Sequence, residues 1–81
     1  MKERVAELVN ESIKEFNVYV EDAYTDVVEG KKVFHIVLDS DEVIDLNRIT
    51  DASRVINKIM DNSDLLEDMD ELDIYSKEKG E

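Results

Sequence analysis

The sequence predicts an α+β two-layer sandwich in the order α-β-β-α-β, with two helices packed on one face of a three-stranded sheet. Three observations carry that expectation. Residues 33–38 alternate, placing Phe34, Ile36 and Leu38 on one side and Val33, His35 and Val37 on the other, the period of a half-buried strand. After Asp45, the residues Ile49, Ala52, Val55, Ile56, Ile59 and Met60 recur at helical spacing. A second helical stripe opens the chain, and two further strand-like runs flank the strand and helix of the middle.

In chain order, residues 2–16 place Val5, Leu8, Val9, Ser12, Ile13 and Phe16 on one side of a helix, with Glu3, Glu7, Asn10, Glu11, Lys14 and Glu15 opposite. In so small a chain that stripe is needed for the core, which favours packing over partner binding. Asn17 suits the left-handed residue that ends a helix. Residues 18–28 are rich in β-branched and aromatic side chains, but the phase set by Val18 and Val20 conflicts with that of Ala23 and Val27. A bulge near Asp22 and Ala23 is expected. Glu29, Gly30, Lys31 and Lys32 read as a hairpin turn with a charged, solubilising tip.

The helix is expected over residues 46–60, with the Asp45 carboxylate accepting from a free N–H of its first turn. Residues 61–71 form an acidic linker holding three apolar anchors, Leu65, Leu66 and Met69. Residues 72–76 alternate as a third strand with Leu72 and Ile74 inward, and residues 77–81 read as a frayed polar tail. A single right-handed crossover through the helix would set the third strand parallel to the second, although a place beside the first is also open. No composition shift or repeat divides the chain, so residues 1–81 read as one domain, which at this size buries only roughly 60% of its unfolded surface.

The chain holds 22 acidic and 10 basic residues, a formal net charge of −12. The cations are scattered from Lys2 to Lys79, so direct nucleic-acid binding, which needs clustered Lys and Arg, is disfavoured and a basic partner is favoured. The plainer alternative is that acidity serves solubility alone. No apolar run approaches the roughly 20 residues that span a bilayer, and no hydrophobic segment follows Lys2 and Arg4, so a cytoplasmic location is expected.

Catalytic constellations are missing from the sequence. His35, the only histidine, has no partner at a telling spacing and reads as a solvated strand residue. Ser53 has no base near it and reads as a small packing residue on the helix. With one His and no Cys a zinc site is not expected, and the acidic runs from Asp39 and from Asp61 lack the glycine at loop position six of a calcium-binding EF-hand. The two glycines, Gly30 and Gly80, make no phosphate-binding loop. No enzyme activity, cofactor or metal is therefore expected. Tyr19, Tyr24 and Tyr75 could offer contact surface on the sheet or close the edge of the core.

The run from Ile44 to Asp64, preceded by Phe34 to Asp39, resembles the N-terminal domain of the bacterial ribosome maturation factor RimP family. That family shows a strand ending in Ile-Asp, a short acidic or glycine loop, a capped helix with Ser-Arg in its middle and Leu-Asp at its end, and an Asp-Pro-Ile segment. Here Leu38-Asp39, Asp45-Leu46, Ser53-Arg54, Met60-Asp61 and Asp64 fall at the matching spacings. The departures are Ser40-Asp41-Glu42 for the glycine pair, Asp64-Leu65-Leu66 for Asp-Pro-Ile, and the ending from Leu72 to Glu78 for Leu-Glu-Val-Ser-Ser-Pro-Gly, which in the family leads into a C-terminal SH3-like barrel. The element order is also similar to KH-type RNA-binding domains, but the Gly-x-x-Gly clamp is missing.

The resemblance implies a non-enzymatic factor that binds the maturing small ribosomal subunit or a basic ribosomal protein. The expected contact surface is Asp39, Asp41 and Glu42 at one end of the central helix and Asp61, Asp64, Glu67 and Asp68 at the other. The alternative is a small acidic protein that blocks the nucleic-acid site of a basic target.

Overall fold

A computed structural model of the chain describes residues 2–42 and 45–77. Helix α1 (Lys2–Ile13) continues into a 3₁₀ turn (Lys14–Phe16), and strands β1 (Tyr19–Val28) and β2 (Lys31–Asp39) follow, then helix α2 (Leu46–Asp61) and strand β3 (Glu71–Ser76). The sheet order is β1-β2-β3, antiparallel between β1 and β2 and parallel between β2 and β3. The third strand thus lies beside the second rather than the first, and β2 is the strand with neighbours on both sides. The expected α-β-β-α-β sandwich is the fold found.

Phe34, Ile36 and Leu38 are fully buried, as their alternation requires. They meet Val5, Val9 and Ile13 of α1 and Ala52, Ile56 and Met60 of α2 in one core. Asp45 caps α2 in extended geometry, its Oδ1 accepting the Arg48 N–H at 2.8 Å. Leu65, Leu66 and Met69 of the linker pack against the same core.

The first helix departs from expectation on one flank. Leu8 is 38% exposed and Ser12 is exposed, so the buried stripe narrows to Val5, Val9 and Ile13. Residues spaced by four drift only slowly around a helix, and a helix seated mainly against β1 and α2 needs just that narrow row. The α-helix also stops at Ile13, and the Asn17 N–H closes the following 3₁₀ turn on the Lys14 carbonyl at 2.9 Å. Asn17 is left-handed as anticipated, with φ 62° and ψ 37°.

The phase conflict in β1 is resolved by a register shift between Val20 and Asp22, which leaves Glu21 as the extra residue, one or two positions before the expected site. The shift lets Val20 and Ala23, three apart, both point inward. Beside it, the Asn10 side chain accepts the Val20 N–H at 2.9 Å, tying α1 to the strand. The hairpin turn is shorter than expected: Val28 pairs with Lys31, and only Glu29 (φ 52°) and Gly30 (φ 83°) bridge them. Positive φ at both central residues is what a two-residue type I′ hairpin demands. Lys31 and Lys32 accordingly belong to β2, not to the tip. Lys32 exchanges two bonds with Asp70, accepting from its N–H and donating to its Oδ2, both at 2.8 Å.

At the C-terminal side, Lys77 is held: its N–H donates to the Leu38 carbonyl at 2.6 Å and its Nζ lies 3.5 Å from Glu21. The rest of the expected tail, residues 78–81, falls outside the described residues, as do Val43 and Ile44. Ile56 has no exposed surface, so Ile56→Ala should cost about 2–5 kcal/mol of stability. Urea melts followed by circular dichroism measure this directly, and a loss under about 0.5 kcal/mol, typical of surface positions, would move Ile56 out of the core.

Candidate functional site

The β2–α2 connection carries the first group of expected contact residues. Asp39 ends β2 only 6% exposed, and its Oδ1 accepts the Ser40 N–H at 2.7 Å. It is a structural residue of the strand end rather than part of an outward surface. Ser40 is equally buried, its hydroxyl donating to the Asn17 carbonyl at 2.6 Å and accepting the Glu42 N–H at 3.3 Å. This small network fastens the end of β2 to the end of the first helix. Glu42 is exposed yet engaged: the Asn17 side-chain amide donates to it, and Arg48 Nη1 lies 3.7 Å away. Asp41 is exposed beside a depression of about 260 Å³ that Asn10, Lys14 and Tyr19 also line.

At the opposite end of α2, Asp61, Asp64, Glu67 and Asp68 are all exposed. Asp64 pairs with Arg4 of α1 at 3.4 Å, both side chains well solvated. Sixteen residues of helix separate the two groups, about 24 Å at 1.5 Å per residue. They form two surfaces, not one patch.

The sheet face turned away from the helices holds the arrangement that sequence reasoning missed. His35 is not a solvated strand residue: its side chain is 15% exposed, clasped by two tyrosines from the neighbouring strands. Tyr24 stacks on it with ring centroids 4.7 Å apart and planes at 16°, and Tyr75 meets it edge-on at 5.9 Å. The two tyrosine hydroxyls join at 2.7 Å, linking β1 to β3 across β2. His35 Nδ1 is buried and without a hydrogen bond, with the Asp73 carboxylate 3.7 Å away. Tyr24 is directly opposite His35, and His35 opposite Asp73; in the next row, Asp22, Val37 and Tyr75 are opposite one another in turn. The signal was present as one ring on the outward phase of each strand, but it needed the strand order and register to be read.

The bond with Tyr24 raises the Tyr75 hydroxyl from 10.0 to about 12, helped by partial desolvation and by the negative charges of Asp73 and Asp22. No group of three or more His, Cys, Asp or Glu among the described residues is arranged to hold a metal ion. No helix among them is long and apolar enough to cross a membrane. The chain matches no family model, and no curated protein matches it.

A tyrosine that holds its proton more tightly when folded contributes stability that is complete below its unfolded pKa and lost as pH rises through the folded one. Stability should therefore decline between about pH 10 and pH 12 through Tyr75. Spectrophotometric titration of tyrosinate absorption reads the ionisation. Tyr24→Phe should bring Tyr75 back toward 10.0, and an unmoved titration would mean that the hydroxyl pair is not formed.

Proposed function

We propose that this chain is a non-enzymatic, cytoplasmic binding module whose partner is basic, and that the partner belongs to the maturing small ribosomal subunit. The observation that carries the first part is the surface: Asp41, Glu42, Asp61, Asp64, Glu67 and Asp68 are exposed on a chain of net charge −12. Such a surface attracts cationic protein segments and repels phosphate backbones. The second part rests on the resemblance to the RimP N-terminal domain, whose element order is the one found. Within this reading the buried Asp39 shapes the loop, while Asp41 and the group from Asp61 to Asp68 meet the partner.

Co-sedimentation with purified small subunits in low salt tests the reading, because complementary charge predicts binding that weakens as salt rises. Two variants probe the two ends of α2 separately: Asp41→Lys, and Glu67→Lys combined with Asp68→Lys. Glu42 is spared because it is tied to Asn17 and Arg48. Each variant should keep the wild-type melting temperature and lose about 0.2–1 kcal/mol of binding per reversed charge. A chain that stays wholly out of the small-subunit fractions refutes ribosomal binding. Displacement of nucleic acid from a basic protein, without that co-sedimentation, would instead identify a blocker of a basic target.

A further inference from the structure

Both helices lie on one side of the sheet, and on the other side Tyr24 of the edge strand β1 is 40% exposed. Its polar and aromatic groups are ordered. On β1, Asp22 and Tyr24 are two residues apart on this face, and on β3 so are Asp73 and Tyr75. Each edge strand therefore carries one carboxylate residue and one tyrosine about 7 Å apart along the backbone, the Asp22 Oδ1 also accepting the Ala23 N–H at 2.8 Å. The influence of both Asp73 and Asp22 on the Tyr75 hydroxyl places their charges around the aromatic row.

Charge decides what can cover such a face. A second copy would bring another net charge of −12, and its own Asp22 and Asp73, against the same groups. Nucleic acid would bring phosphates to the same carboxylates. A guanidinium suits them: it lies flat on an aromatic ring while its fork of N–H donors reaches an adjacent carboxylate, which the compact, strongly hydrated lysine ammonium does less well. Two lysines next to this face along β2 and after β3 are already engaged, Lys31 with Glu71 at 3.6 Å and Lys77 with Glu21 at 3.5 Å.

We infer that the open sheet face is a docking surface for an arginine-bearing basic polypeptide segment, each arginine stacking on Tyr24 or Tyr75 and pairing with Asp22 or Asp73. This rests on the reading that the partner is basic, and adds where and through which side chain it is held. Tyrosine at both edges offers a ring face for such stacking and a polar hydroxyl that stays compatible with solvent.

The test is a heteronuclear NMR titration of the whole chain with two synthetic peptides of equal length and charge, one built on arginine and one on lysine. The arginine peptide should shift the amides of residues 22–24, 35–37 and 73–75, and bind about 2- to 5-fold more tightly than the lysine peptide, as one exposed cation–π contact gives. Asp73→Asn and Tyr24→Leu should each reduce that preference and the two together abolish it, and Asp22→Asn serves as the check at an exposed position if either perturbs folding. Equal affinities, or no shifts with either peptide, overturn the inference. Shifts confined to residues 41–42 and 61–68 overturn it too, while leaving the proposed function standing. Shifts of the sheet-face amides with protein concentration alone would assign the face to a second copy and overturn it likewise.

Discussion

The structure depends on the burial of one alternating row, Phe34, Ile36 and Leu38, on β2, which among the described strands is the one with a neighbour on each side. The outward side of that strand is constrained as well. His35 is wedged between Tyr24 and Tyr75, and Val33 is only 6% exposed. A strand whose inner face fills the core and whose outer face is filled by cross-strand partners fixes its own register, because a slip of one residue would exchange the two sets of side chains. Both neighbouring strands then take their positions from it. Around this axis, β1 is adjusted by the bulge at Glu21 and β3 is delivered by α2 and the anchored linker.

The second organising constraint is charge. With so many carboxylates on a small surface, self-repulsion opposes compaction, and the chain answers in part with exposed ion pairs between elements. Arg4 with Asp64, Lys31 with Glu71, Arg48 with Glu42 and Lys77 with Glu21 each join different elements of the fold. As exposed pairs they contribute little stability individually. Their consequence for function is larger: they engage four of the ten Lys and Arg residues, and the 22 acidic residues still leave a surface whose net negative field is open to a basic partner. The aromatic row on the open sheet face differs from the acidic helix ends because it offers stacking geometry as well as charge, and so can distinguish one cation from another.

Where a feature depended on local pattern, the sequence was sufficient. The α2 stripe, the Asp45 cap, the left-handed Asn17 and the inward row of β2 all follow from spacing and side-chain chemistry within a few residues. Features set by neighbours distant in sequence were not legible. Leu8 and Ser12 lie on the apolar side of a helical wheel, yet what they face depends on where α1 sits over the sheet. Asp39 looked like one more solvated carboxylate, but the closure of Ser40 on the Asn17 carbonyl draws the strand end inward. Of the candidate contact residues, those on the exposed ends of α2 fell where expected, whereas the tyrosine and histidine cluster required the parallel pairing of β2 with β3, which the sequence left open between two strand orders.

Native-state amide hydrogen exchange tests the central role of β2 most directly. If both faces of the strand are locked by packing and both its edges by neighbours, the hydrogen-bonded amides of residues 33–38 should open only through global unfolding, and their exchange free energies should equal the stability measured in urea. The amides at the open end of β1, residues 26–28, should exchange through smaller local openings, since Val27 and Val28 are 64% and 48% exposed there. Exchange from residues 34–38 that is faster than from the buried turns of α1 would contradict the account, because the strand would then be dispensable to a structure held together by its helices.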